Sequence, residues 1–157
     1  MVTQNKTSQK GIDLIKKFEG CRLAAYLCPA GIPTIGYGST RMISGRAVKL
    51  DDRVSIELAE AMLRQELLYF EDKVMRFVKS DLNQNEFDSL VSFTYNVGEG
   101  NFKKSTLLKK VNTNPNDTTI KFEFLKWNKA NIDGVLKELP GLTERRKKES
   151  QLYFNEL

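Results

Sequence analysis

Three side chains near the start of the chain could do chemistry together, a carboxyl suited to a general acid with a thiol and a hydroxyl after it: Glu19, Cys28 nine residues on, and Thr34 fifteen residues on. Glu19 follows Phe18 and precedes Gly20 at the end of a helix-period stretch. A carboxyl shielded by an apolar neighbour at the negative end of a helix has its ionised form disfavoured, the condition for a general acid near neutral pH. Cys28 and Thr34 place a thiol and a hydroxyl in the turn-rich segment that follows. The chain has no His, so Ser-His-Asp, Cys-His and HExxH chemistries are excluded, and catalysis must rest on carboxylates, thiols, hydroxyls, Lys or Arg. A thiol of ordinary pKa, about 8.5, is mostly neutral at pH 7, so Cys28 is a weaker electrostatic partner than a carboxylate unless its surroundings tune it downward.

These groups need elements to hold them. Ile12, Ile15 and Phe18 at helical spacing behind Thr7 and Ser8 predict a short amphipathic helix over residues 8–18, stopping at Glu19-Gly20. The runs Leu23-Ala-Ala-Tyr26 and Thr34-Ile-Gly-Tyr-Gly38, separated by the Pro- and Gly-punctuated Cys28–Pro33, predict a β-hairpin or three-stranded ribbon. The stretch to Leu50 reads as loop with room for one more strand. Ala59, Leu63, Leu67, Phe70, Val74 and Phe77 then form a long helical stripe over residues 55–79. Further helices are expected after Asn83 up to Gly98, around Leu107 to Val111, from Ile120 towards Trp127, and from Thr143 to Tyr153. The pattern is α+β with few strands.

Composition narrows the function classes. With 157 residues, 40% hydrophobic and 29% charged, the chain suits one globular domain rather than a disordered or disulfide-dense one. No apolar run approaches the roughly 20 residues that span a bilayer, and no membrane insertion is expected. The stretch from Met1 to Gly11 is polar and lacks the apolar core of an export signal, which predicts a cytoplasmic protein without a signal peptide. Cys21 and Cys28 fit free thiols, with a single disulfide left open. The net charge of +5 favours anionic polymers without choosing among them, and no helix-turn-helix, zinc or RNP signature points to nucleic acid.

The frame FEG…AY…P…G…TIGYG around Glu19, Cys28 and Thr34 resembles the catalytic signature of the phage-type lysozymes, the endolysin family of muramidases. Phe93-Thr-Tyr-Asn-Val-Gly98, Ser105-Thr-Leu-Leu108, Trp127 and Gly141-Leu-Thr-Glu-Arg-Arg146 with Glu149 extend the resemblance over nearly the whole chain. It implies a single lysozyme-like catalytic domain over residues 1–157: an N-terminal lobe with a small hairpin (about 8–55), a connecting helix (about 56–79) and a helical C-terminal lobe (about 80–157), with the active-site cleft between the lobes. It further implies hydrolysis of the β-1,4 bond between N-acetylmuramic acid and N-acetylglucosamine. Glu19 is then the general acid, Thr34 places the attacking water, and Cys28, where well-known members carry Asp, assists that water or stabilises oxocarbenium-like charge. The reaction would be inverting, with no metal or organic cofactor. The partners implied are peptidoglycan glycan strands and a separately encoded holin for release, and the default state is a monomer.

Other positions follow from the same comparison. Tyr95 stands where the family presents an aromatic side chain to substrate, although a half-buried structural Tyr fits it almost as well. Ser39 occupies a place where His is frequent and reads as structural or cleft-lining, and Gly36 and Gly38 read as structural. Phe87, Leu90, Phe124 and Trp127 read as core, and Arg145-Arg-Lys-Lys148 as a solvated face. The competing functions are a lytic transglycosylase and a non-catalytic peptidoglycan-binding module.

Overall fold

The computed structural model describes residues 6–157, so the start of the Met1–Gly11 stretch expected to carry no export signal lies outside the described residues. Helix α1 (Gln9–Glu19) buries Ile12, Leu14 and Ile15 and leaves Phe18 half-buried. Gly20 stops it: at φ +69° it turns the chain out of the helix while its N–H still bonds to the Lys16 carbonyl at 3.0 Å. Strands β1 (Arg22–Leu27) and β2 (Pro33–Gly36) form the expected antiparallel hairpin, with Tyr26 opposite Thr34 and Leu27 opposite Pro33. A register irregularity lies between Arg22 and Tyr26.

The stretch to Leu50 forms a loop with one isolated bridge, Arg41 to Ala47, rather than a further strand. Asp52 ties this loop down. Its carboxylate takes both Arg46 Nη atoms, at 2.8 and 2.9 Å, and the Lys49 N–H at 2.8 Å, while its carbonyl accepts the Ala25 N–H of β1. The Arg46 guanidinium, with the Lys49 N–H, holds the Asp52 carboxyl down at about 2.

Helix α2 (Ile56–Phe77) follows the predicted stripe, with Ala59, Leu63, Leu67 and Val74 buried and Phe70 and Phe77 half-buried. Helix α3 (Gln84–Val97) opens on a capping box, in which Asn83 Oδ1 accepts the Glu86 N–H at 2.8 Å and the Glu86 carboxylate accepts the Asn83 N–H. Helices α4 (Glu99–Lys104), α5 (Thr106–Thr113) and α6 (Ile120–Leu125) follow, then strands β3 (Lys129–Ile132) and β4 (Val135–Glu138), and helix α7 (Pro140–Tyr153). The short α4 and the β3–β4 hairpin are additions to the sequence expectation. The hairpin turns on Asp133 and Gly134, both at positive φ (53° and 82°), the Asp-Gly pair that suits a two-residue turn. Helix α7 begins three residues ahead of Thr143, because Pro140 fits the first turn, where no N–H is needed.

The chain groups into two compact units: Ile15–Tyr69, and Phe70–Leu157 together with the chain before Ile15. The second has its centre at Phe93, whose ring meets Phe102, Phe124 and Trp127 edge-on at centroid distances of 6.2, 5.5 and 5.9 Å. In this unit Asp88 accepts hydrogen bonds from the Ser8 N–H, the Ser8 hydroxyl and the Gln84 amide, and Glu71 accepts both the N–H and the hydroxyl of Thr7 at 2.8 Å. Burial pushes the Asp88 carboxyl above the usual range despite these bonds. Among the described residues no helix is long and apolar enough to cross a membrane.

Candidate active site

Glu19, Cys28 and Thr34 all lie in the unit Ile15–Tyr69. Glu19 closes α1 and is half-buried. Gly38 sits beside it: a Cβ there would stand in ordinary contact, 3.7 Å from Glu19 Oε1, but φ at Gly38 is +93°, so a side chain at that position would strain the backbone. Thr34 is buried on β2, and its hydroxyl donates to the Ile32 carbonyl at 2.9 Å.

Cys28 sits where β1 ends and the turn begins. Its N–H bonds to the Ile32 carbonyl at 3.1 Å, and its carbonyl accepts the Gly31 N–H at 2.8 Å. Hydrogen bonds from the Ile32 backbone first, then from the Ala30 backbone and the Thr34 hydroxyl, draw the Cys28 thiol below its ordinary value, outweighing the opposing effect of burial. The shift runs in the direction that favours a thiolate, and main-chain N–H groups of the turn Pro29–Pro33 supply most of it. Those donors are the functional groups that residue-type reasoning missed. The Pro-Ala-Gly-Ile-Pro punctuation was their visible signal.

Thr34 has one hydroxyl proton to place. Donated to Ile32, it leaves the Oγ lone pairs to accept a proton from a water; turned to Cys28, it steadies a thiolate. Cys21 and Cys28 are both free. They flank the extended strand β1, whose rise separates them by roughly 20 Å, far beyond disulfide reach. The disulfide left open by the sequence is closed off in this fold.

Tyr95 belongs to the other unit, where it is half-buried and meets the Phe70 ring edge-on at 5.2 Å. Ser39 is buried and structural: its backbone exchanges two 2.8 Å hydrogen bonds with Ile35, while its hydroxyl has no partner among the described residues. Phe87, Leu90 and Phe124 are core as expected, but Trp127 is half-buried and lines a hollow of about 380 Å³ with Lys104, Ser105, Thr106, Glu123 and Lys126.

The basic run on α7 departs from expectation. Arg145 and Arg146 are 3% and 0% exposed, so half of the supposed solvated face is interior. Glu149, wholly buried, is the reason: its Oε2 lies 3.2 Å from Arg145 Nε and its Oε1 2.9 Å from Arg146 Nε. Ser92 of α3 donates to the same carboxylate at 2.6 Å, and Ser89 donates to the Glu149 carbonyl at 2.6 Å. Charge paired and hydrogen-bonded in this way can be buried.

Comparison with known proteins identifies the family of the chain. The phage lysozyme family pattern matches residues 16–149. An endolysin of Acyrthosiphon pisum secondary endosymbiont phage 1 is 40% identical over 146 residues, covering 93% of this chain and 96% of that protein. Among solved structures, the endolysin of Escherichia coli O157:H7 phage FAHEc1 superposes with a TM-score of 0.90 at 39% identity, covering 97% and 95% of the two chains. The muramidase domain of SpmX from Asticcacaulis excentricus gives 0.84 at 37%, covering 96% and 98%. With its helices and two small hairpins in a lysozyme-like α+β fold, the chain belongs to the phage lysozyme family and is a glycoside hydrolase of the lysozyme class.

Proposed function

We propose that this chain hydrolyses the β-1,4 bond between N-acetylmuramic acid and N-acetylglucosamine in bacterial peptidoglycan, with Glu19, Cys28 and Thr34 as its catalytic residues. The observation that carries the reading is the turn in which Cys28 and Thr34 share hydrogen bonds, with Ile32 holding both, in the same unit as Glu19. Glu19 protonates the leaving glycosidic oxygen. As the sugar takes on oxocarbenium-like charge, Thr34 Oγ accepts a hydrogen bond from a water on the opposite face, and Cys28 assists that water or stabilises the positive charge. Attack from that face inverts the anomeric centre, which calls for the acid and the water-assisting group to stand roughly 6.5–9.5 Å apart.

In this reading the 157 residues act as one catalytic domain and a monomer, Tyr95 offers its ring to the glycan, and no metal or organic cofactor takes part. The task is host lysis by a bacteriophage: the enzyme accumulates in the host cytoplasm until a separately encoded holin lets it reach the wall. The endolysin names of its relatives support this assignment.

Product analysis tests it. Mass spectrometry of purified peptidoglycan digested by the protein should show fragments ending in reducing N-acetylmuramic acid, and NMR of fresh product should show the α-anomer. Anhydro-muramic ends would make the protein a lytic transglycosylase. Wall retention without soluble fragments would make it a binding module.

A further inference from the structure

We infer that Asp88 is a positioning residue for the proposed reaction, anchoring the first turn of α1 so that Glu19, at the other end of the same helix, is held in place. The inference rests on the reading of Glu19 as the general acid.

Ser8 caps α1: its carbonyl accepts the first helical bond, from the Ile12 N–H at 3.0 Å. A capping hydroxyl ordinarily turns inward and accepts an N–H of its own first turn. Here the Gly11 N–H nitrogen stands 3.5 Å from Ser8 Oγ, at the edge of hydrogen-bond range, while the hydroxyl donates outward to Asp88 Oδ2. Oδ1 takes the Ser8 N–H at 2.9 Å and the Gln84 amide at 2.7 Å. The wholly buried carboxylate on α3 therefore holds the start of α1 from another element.

Two features that weaken the chain locally serve this contact. Gly11 lies inside the helix, where it is a poorer helix former than Ala. A Cβ there would stand 2.8 Å from both Cβ and Cγ of Asp88 and 2.7 Å from Thr7 Cγ2, so only glycine lets α1 come this close. A carboxylate buried at position 88 also loses solvation that an apolar side chain would never have had. Residues that oppose local stability mark places where something else is specified, and what these two share is the placement of the helix start.

Helix α1 carries that placement to Glu19. It runs unbroken through 11 residues, about 16 Å at the helical rise. Burial of Ile12, Leu14 and Ile15 holds one face, but apolar packing is non-directional, and the bonds to Asp88 supply the direction. Over that length a tilt of roughly 4° displaces the Glu19 carboxyl by about 1 Å, enough to slow a reaction by up to about 100-fold.

A double-mutant cycle tests the link, with kcat and KM measured on soluble peptidoglycan fragments at a temperature where every variant is folded. Asp88→Ala should lower kcat roughly 10-fold with KM within about twofold. In a Glu19→Gln background the same change should alter kcat by less than about twofold, because the group it positions is gone. Ser8→Ala removes one donor, keeps the carboxylate, and should show the same pattern at roughly threefold, which serves if Asp88→Ala does not fold. Val111→Ala, a truncation in the core away from α1, should lower the melting temperature and leave kcat within about twofold. An unchanged kcat in Asp88→Ala and Ser8→Ala, an equal loss in the two backgrounds, or the same loss in Val111→Ala would overturn the inference and leave Glu19 as the acid. A fully active Glu19→Gln protein would instead overturn the reading of the acid, and the inference with it.

Discussion

The hairpin region from Glu19 to Gly38 and the α3–α7 pair are organised by opposite means. In the first, the proposed catalytic side chains stand within 20 residues of one another and the main chain places them: the turn N–H groups tune Cys28, the Ile32 carbonyl orients Thr34, and Gly38 turns the chain at positive φ beside Glu19. In the second, residues 50 or more positions apart meet around a buried ion cluster, with Ser92 and Asn96 of α3 bonded to Glu149, Arg145 and Arg146 of α7. Backbone placement suits a site that must keep its carboxyl, thiol and hydroxyl reachable. Buried charge suits a joint, because each ion there is tolerable only while all its partners are present.

The sharpest way to break this contrast is to remove Glu149. Glu149→Ala leaves two buried guanidinium groups without their carboxylate and should cost about 3–5 kcal/mol of stability, read from denaturant unfolding. A loss under about 1 kcal/mol would mean that the joint is an ordinary surface pair.

The hairpin should respond in chemistry and not in stability. With its thiol drawn below the ordinary value, Cys28 should react with iodoacetamide at a half-maximal pH below that of a cysteine in an unstructured peptide. Below that midpoint the thiol is protonated and the rate falls. Cys28→Asp, which places a carboxylate there, should retain wall lysis, and a midpoint no lower than the peptide thiol's would remove the claim that the turn tunes Cys28. The smallest effect is expected at Ser39: its buried hydroxyl lacks a partner among the described residues, so Ser39→Ala should be neutral or stabilising by up to about 1 kcal/mol in a thermal melt.

The same contrast explains what was legible in the sequence. The β1–β2 hairpin proposed as catalytic shows through because its signals are local: Gly20 after a helix stripe, the Pro and Gly punctuation between two β-prone runs, and the Thr-Ile-Gly-Tyr-Gly frame. Arg145 and Arg146 were misread because four successive basic residues look solvated until Glu149 and the serines of α3 are brought against them, which no spacing within α7 reveals. Trp127 was misplaced for a similar reason: helical spacing says which side of α6 it continues, but its half-burial depends on Lys104 to Thr106 of a different segment. The β3–β4 hairpin had a readable cue in Asp133-Gly134, but its strands carry Lys and Asn between their few apolar residues and show no buried face. Helix α4, at six residues, is too short for periodicity to declare it.

The most direct test is the turnover of purified peptidoglycan by Glu19→Gln, measured beside the wild type with the melting temperature of each. Removing the general acid while keeping shape and hydrogen bonding should leave the protein folded and lower the rate by roughly 100-fold or more. A Glu19→Gln protein that melts like the wild type and still cuts the wall at the wild-type rate would contradict the assignment of the acid, and with it the account of the hairpin as the catalytic site.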